Sequence, residues 1–371
     1  LQLPGALRPG LIPSGIRGRE GGFRTRPGPR QADTLRGDGG PRRVEMALAK
    51  VSILIPTLNG AKDLERLLPA LDAQGLDDLG LGGIEVERVA IDSSSVDGTP
   101  DLLQDAGFDV HRIERSEFGH GRTRNELARR STGEFLLYLS QDAIPTAPDF
   151  VERMLAPFAD DRIGGVTARV LANPGDDALT ARTALSVPEA STEPATRVWE
   201  DPARYGEMSG PERTALLRFN NVASCVRRAA HDEVPFPEIP FGEDFAWAAR
   251  AMARGWALHH APEAAAWHAH RYGPREAYAR YRVDAVVLRE FHGWSVRPGL
   301  AAVLRGVAYE LREDWRYVRR TGAPLKDLLR APALRVAQTW GQYVGSRGDG
   351  EAWREARRRG ALDVLPTAPT Q

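Results

Sequence analysis

From residue 51 onward, short apolar runs alternate with segments whose apolar residues recur every three or four positions. Val51-Ser52-Ile53-Leu54-Ile55, stopped by Pro56, reads as a strand buried on both faces. Residues 87–91, ending at Asp92, 110–113 and 135–139 repeat that signature. Between them, Leu64, Leu67, Leu68 and Leu71 share one face of a helix over 63–73, and further helices are expected over 99–106 and 123–130. The order βαβαβαβ predicts a parallel sheet with right-handed crossovers, an α/β fold with helices on both faces. Such sheets place ligands at the C-terminal ends of their strands.

Later in the chain the period is helical. Residues 243–255 carry Glu243 and Asp244 in the first turn, arginines near the end and Gly255 as a stop. Beyond Pro274, Tyr278, Tyr281, Ala285, Leu288 and Phe291 share a face, as do Val303, Val307, Leu311, Trp315 and Val318, with arginines such as Arg312, Arg316, Arg319 and Arg320 opposite. These faces predict helices packed on the α/β unit. The arginine-rich surfaces also suit adhesion to an anionic membrane.

Residues 1–45 break the pattern. They are rich in Gly, Pro and Arg, carry nine Arg against four acidic residues and lack apolar periodicity, so disorder is expected, with Met46 as the native start. The organisation read from the sequence is a leader over 1–45, a catalytic domain over 46–272, a helical extension over 273–345 and a flexible tail over 346–371.

Composition narrows the class of protein. Lys+Arg and Asp+Glu are both 50, so no global charge calls for nucleic acid. The single Cys225 rules out an intrachain disulfide framework and fits a reducing, cytoplasmic compartment. No apolar run approaches the roughly 18 residues of a membrane span.

Candidate chemistry gathers at strand ends: Pro56-Thr57-Leu58-Asn59, the run from Asp92 to Thr99, and Ser140-Gln141-Asp142. Each alone is ordinary turn and cap chemistry. A dinucleotide site would need G-x-G-x-x-G after the first strand, and that position holds Pro56 and Thr57 instead. A carboxylate at the end of the 135–139 strand, followed about a hundred residues later by Glu243-Asp244, suggests metal-assisted group transfer.

Taken in order, these blocks resemble family 2 inverting glycosyltransferases of the GT-A fold. The stretches from Phe219 to Arg228, Pro235-Phe236-Pro237, Phe241-Gly242-Glu243-Asp244 and Trp267-His268-Ala269-His270 resemble the rhamnosyltransferase branch. The resemblance runs from about Val51 to Tyr281. It implies that Pro56, Thr57, Asn59, Asp92, Gly121, Arg124 and Gln141 bind the nucleotide, with Asp92 accepting from the pyrimidine and Arg124 approaching the diphosphate. It also implies that Asp142 matches the last position of the family's Asp-x-Asp metal motif, although Ser140 stands where the first Asp would be. His268 and His270 become candidate metal ligands, with Mg²⁺ or Mn²⁺ as the ion. Asp244, beside Glu243, takes the role of general base, and Asn220, Asn221 and Trp247 face sugar or acceptor.

The resemblance thus implies transfer of L-rhamnose from dTDP-L-rhamnose to a saccharide or lipid-linked acceptor, with possible contact at the inner face of the membrane and no nucleic-acid partner. Two alternatives stay open at this stage: another UDP- or GDP-sugar as donor, and a non-catalytic sugar-nucleotide-binding relative.

Overall fold

The computed structural model describes residues 50–75, 84–348 and 350–358. The expected leader and start at Met46 lie outside the described residues. Four strands open the fold: β1 (Lys50–Thr57), β2 (Glu85–Asp92), β3 (Asp109–Arg112) and β4 (Phe135–Leu139), connected through α1 (Ala61–Asp72), α2 (Thr99–Asp105) and α3 (His120–Arg129). They pair in parallel in the order β3-β2-β1-β4, as the alternation of elements requires. Along β1, Val51, Ile53 and Ile55 face Leu64, Leu67 and Leu71 of α1, whereas Leu54 points to the layer of Leu127 on α3. Burial on both faces explains why these strands read as near-continuous apolar runs.

The second half is mixed. It contains β5 (Ile144–Pro145), α4 (Phe150–Leu155), β6 (Ile163–Leu171), α5 (Ala178–Leu185), β7 (Ala195–Arg197), α6 (Gly210–Leu216), β8 (Ala223–Arg227), α7 (Arg228–Glu233), α8 (Glu243–Ala253) and β9 (Ala257–Trp267). β8 runs antiparallel to both β4 and β6, β6 is parallel to β9, and the two-residue β5 closes antiparallel on the end of β9. The result is a nine-stranded sheet with helices on both faces, the α/β fold expected from the sequence.

The C-terminal extension is helical: α9 (Pro274–His292), α10 (Leu300–Thr321), a tight turn over Leu325–Arg330, α11 (Ala331–Arg347) and α12 (Glu351–Arg358). Within the stretch expected as a flexible tail, Trp353 donates its indole N–H to the Phe241 carbonyl at 2.9 Å. On α9 the expected face is buried through Tyr281, Ala285, Leu288 and Phe291. On α10 the structure departs from the expectation. Val303 and Val318 are buried, but Trp315 is 47% exposed, and the inward face carries Glu310 and Asp314 at 1% exposure each.

The reason is a buried ionic lock that sequence periodicity cannot see. Arg182 of α5 pairs with Glu310 and donates Nε to Asp314 Oδ1 at 2.5 Å, while Arg335 of α11 grips both Asp314 oxygens at 2.8 Å. Two guanidinium groups and two carboxylates balance, which tolerates burial. Removing one carboxylate strands the cations. Asp314→Ala should therefore cost about 3–5 kcal/mol of unfolding free energy, measured by urea titration, whereas exposed Leu304→Ala should cost less than about 0.5 kcal/mol.

Candidate active site

The β1 turn is fastened to its neighbours by side-chain hydrogen bonds. Gln141 accepts from Leu58 N at 2.9 Å and donates to Asp63 Oδ2 at 3.1 Å, tying the end of β4 to the start of α1. Asn59 adopts a left-handed backbone (φ 46°), donates its N–H to Ser95 Oγ at 2.7 Å and accepts from Val96 N at 3.1 Å. Pro56 and Thr57 lie in the ladder opposite Ile91 and Asp92. Asp92 is wholly buried, with Oδ1 accepting from Thr57 Oγ1 at 3.2 Å and Oδ2 from Ser95 N at 2.9 Å. In this conformation its oxygens serve Thr57 at the end of β1 and the loop after β2, with Arg112 Nε 3.6 Å from Oδ2. The adjacent Ser93 hydroxyl is buried without a hydrogen-bond partner among the described residues.

The candidate metal ligands converge because of strand pairing. β5 follows Asp142 by one residue and sets Ile144 opposite Trp267, so Asp142 arrives beside the segment that leaves β9. His268 Nε2 and His270 Nε2 lie 3.4 and 3.6 Å from Asp142 Oδ2. One ligand atom from each of the three lies within 4.8 Å of the others. Ligands at about 2.1 Å from a shared divalent ion sit roughly 3 Å apart when adjacent, so small movements would close the site. Burial, together with the neighbouring His270 and Arg280, pushes His268 down to about 4 against the pull of Asp142, leaving its ring a neutral donor near neutrality. One carboxylate and two imidazoles suit Mn²⁺ better than the oxygen-preferring Mg²⁺.

The acidic pair occupies the start of α8. Gly242, at φ 88°, makes the turn into it and leaves no room for a side chain, since a Cβ would lie 2.8 Å from the Phe291 ring. Glu243 is buried and held by Arg124 at 2.8 Å and by Asn221 Nδ2 at 3.2 Å. Asp244 is half-buried, accepts its own helix N–H from Phe245 at 2.8 Å and has no ion pair in reach among the described residues. Burial and the adjacent Glu243 charge push it up to about 7. Two neighbouring acids thus have opposite environments, the arrangement that separates roles in acid–base sites.

Several residues sit elsewhere than the sequence suggested. Arg124 is committed to Glu243 and to the carbonyls of His120 and Asn221, so its fork does not project toward a diphosphate here. Trp247 is fully buried, donating to Val234 O at 2.9 Å between Phe219 and Phe236. It is a core residue, because the apolar stripe of α8 carries it inward. Asn221 is likewise interior and orients Glu243, while Asn220 caps its own turn through Val222 N at 2.8 Å. At Gly121 a Cβ would meet the Pro237 carbonyl at 2.2 Å, so this glycine allows α3 to approach the Pro-Phe-Pro run. Asn125 clamps the same run, donating to Phe236 O at 2.8 Å and accepting from Phe236 N at 2.9 Å.

Two residues escaped the sequence reading. Asp63, raised by burial, lies close enough to Asp142 and His270 to feel both. Arg280 of α9 stands 4.7 Å over the Phe241 ring and bonds Asp284. Burial opposes its charge, and Asp284 with the more distant Asp244 outweighs that and raises it. The same guanidinium adds to the burial that depresses His120 and His268, so its charge is felt at the triad as well as at Asp244. Nothing in the sequence marked Arg280, since helical spacing cannot tell an arginine that leans over a neighbouring ring from one that is fully solvated.

Comparison with known proteins finds similarity to glycosyltransferases. The family model described as glycosyl transferase family 2 matches residues 52–218. An O-antigen chain rhamnosyltransferase, RfbN of Salmonella typhimurium, is 28% identical over 252 residues, which cover 67% of this chain and 75% of that protein. A second, WbaN of Salmonella anatum, is 30% identical over 214 residues, covering 57% of this chain and 65% of the relative. Among solved structures, a mannosyltransferase of Pyrobaculum calidifontis in complex with GDP-Man and Mn²⁺ gives a TM-score of 0.44 at 18% identity, covering 87% of this chain and 85% of that one. Residues 1–349 of TarS from S. aureus give 0.46 at 17% identity, covering 84% and 92%.

If the triad is a metal site, Mn²⁺ should bind the purified chain with one-to-one stoichiometry in calorimetry. Asp142→Ala and His268→Ala should each weaken that binding at least about tenfold, while His111→Ala, on the distant β3, should leave it unchanged.

Proposed function

Because residues 52–218 match the family model described as glycosyl transferase family 2, we propose that the chain is a glycosyltransferase of that family and transfers L-rhamnose from dTDP-L-rhamnose, with inversion, to a saccharide or lipid-linked acceptor of a cell-surface polysaccharide. The observation that carries the mechanism is the divergence of two carboxylates: Asp142 faces two imidazoles, and Asp244 has no cation of its own and is pushed up to about 7. The two relatives named as rhamnosyltransferases support the choice of sugar. The single buried Cys225 supports action on the cytoplasmic side.

In this reading, Asp244 accepts the proton of the acceptor hydroxyl as that oxygen attacks the anomeric carbon. The bond from that carbon to the diphosphate oxygen breaks on the opposite face, and its electrons leave with the nucleotide diphosphate. A divalent ion at Asp142, His268 and His270 would supply charge neutralisation to the leaving diphosphate. Arg280 provides the fixed cation that Arg124 does not, because Arg124 is held by Glu243. Glu243 keeps the α8 start in place, with its carboxylate occupied by Arg124 and the Asn221 amide. The β1 and β2 turns, with Thr57, Asn59 and the Ser93 hydroxyl, form the nucleotide end of the cleft.

The pH dependence follows from the sign of the Asp244 shift. Below about pH 7 the carboxyl holds its proton and cannot accept another, so kcat/KM should fall about tenfold per unit there and level off above. Asp244→Asn should lower turnover by roughly 10²-fold or more at pH 8 with nucleotide affinity retained. The folded-state value lies above that of a free carboxyl, so the ionised form costs stability. That cost is absent below the unfolded value near 3.8 and complete above about 7. The same Asn variant should therefore raise Tm at pH 8 and leave it unchanged at pH 3.5. A base role for Glu243 predicts the reverse, with Glu243→Gln inactive and Asp244→Asn active.

Donor identity is tested by turnover. With dTDP-L-rhamnose the chain should release dTDP in the presence of Mn²⁺ and a suitable acceptor, and UDP- or GDP-hexoses should react at least about tenfold more slowly. Preference for a UDP-hexose would replace the sugar and leave the roles of Asp142 and Asp244 intact.

A further inference from the structure

Among the described residues, eleven large apolar side chains are exposed, and seven of them fall between residues 300 and 340. They are not scattered. At 100° per residue, Leu300, Leu304, Leu311 and Trp315 fall within a sector of about 60° on α10. Leu300 is 58%, Leu304 71% and Trp315 47% exposed, while Leu311 packs partly against the satellite core beneath. In the turn that follows, Leu325 and Leu329 are 70% and 84% exposed. The stripe persists because the inward register of α10 is fixed by charge: Glu310 and Asp314 must meet Arg182 and Arg335, so the leucines and Trp315 are turned outward.

Charge identifies the partner. Residues 300–347 contain nine Lys and Arg against four Asp and Glu, a surplus of five in a chain whose net charge is zero. Glu310 and Asp314 are consumed inside the lock with Arg335, and Arg330 pairs with Asp177, which leaves seven basic residues against Asp327, which accepts from Ala178 N, and Glu313, which pairs with Arg316. The solvent side is left strongly basic. Arg312, Arg316 and Arg319 lie in the sector next to the apolar stripe, and Arg319 stands 4.7 Å over the Trp315 ring. An apolar stripe edged by arginines, with an aromatic ring at the boundary, matches a helix lying in the interface of an anionic bilayer. A second copy of the chain would bring two basic faces together. No described helix is long and apolar enough to cross a membrane, so contact would be in-plane.

We propose that α10 and the Leu325–Arg330 turn dock on an anionic lipid surface, with the leucines and Trp315 in the acyl boundary and the arginines at the headgroups. The inference stands apart from the donor and from the roles of Asp142 and Asp244. Because α9 carries Arg280 and lies against α11, which the lock joins to α10, docking would hold the site at a fixed distance from the bilayer.

The test is co-sedimentation of the full chain with vesicles of phosphatidylglycerol and phosphatidylcholine in equal parts, against vesicles of phosphatidylcholine alone. The chain should bind the anionic vesicles at least tenfold more strongly, with binding weakened by salt. Leu304→Ser with Trp315→Ser should reduce that binding about tenfold or more. Arg316→Gln with Arg319→Gln and Arg320→Gln should do so by about fivefold per charge removed. Circular dichroism melts and Mn²⁺ binding should match the wild type, which separates lost docking from lost folding. Equal binding to neutral vesicles, undiminished binding by the Leu304 and Trp315 variant, or dimers in light scattering that this variant dissolves would each overturn the proposal.

Discussion

The ion pair between Arg124 and Glu243 is the constraint from which the rest of the site follows. It joins α3 in the parallel half to α8 in the mixed half, and both partners are more than nine-tenths buried. Such a pair survives burial when its remaining hydrogen bonds are met, and here the carbonyls of His120 and Asn221 and the amide of Asn221 meet most of them. Its chemical consequence lies next door. Arg124 is spent on Glu243, so Asp244 has no partner of its own, and burial with the adjacent Glu243 charge raises its proton affinity into the range where a carboxyl exchanges protons at neutral pH. A cation freed from Glu243 to neutralise Asp244 would give a drowned base and a mobile helix start.

Because the pair removes one cation from the cleft, the proposed mechanism draws the positive charge opposite a departing diphosphate from elsewhere. Two sources meet there. The β5–β9 ladder delivers Asp142 to His268 and His270, residues 126 and 128 positions further along. Arg280 comes from the first helix of the extension, fixed over Phe241. In the proposed mechanism the extension thus contributes a cation to the cleft besides packing on the sheet domain. The Gln141 amide plays a quieter part, since its bonds to Leu58 and Asp63 fix the turn that presents Asp142.

The buried lock around Asp314 has a similar double effect. By using charge as the inward face of α10, it fixes α5, α10 and α11 to one another and displaces apolar residues to the surface. Replacing the lock with leucines would satisfy the core and erase the outward stripe. A helix that gives up apolar burial in this way gains a surface that water alone does not favour.

The sequence by itself determined the parallel half of the sheet and the helices around it, because burial on both faces writes a local apolar run and a crossover helix writes a local period. It also determined that acids and histidines would appear at Asp142, Asp244, His268 and His270. What each does was decided by tertiary structure. Arg124, Asn221 and Trp247 sit in blocks that resemble nucleotide or sugar contacts, yet long-range partners turned them into a buried salt bridge, its brace and a piece of core. Arg280, Asp63 and the rotated face of α10 left no local trace, since helical spacing records which residues share a side but not which charges wait across the interface. Proton affinity is likewise a property of surroundings: Glu243 and Asp244 are neighbours in the chain, and only the fold gives one an arginine and the other none.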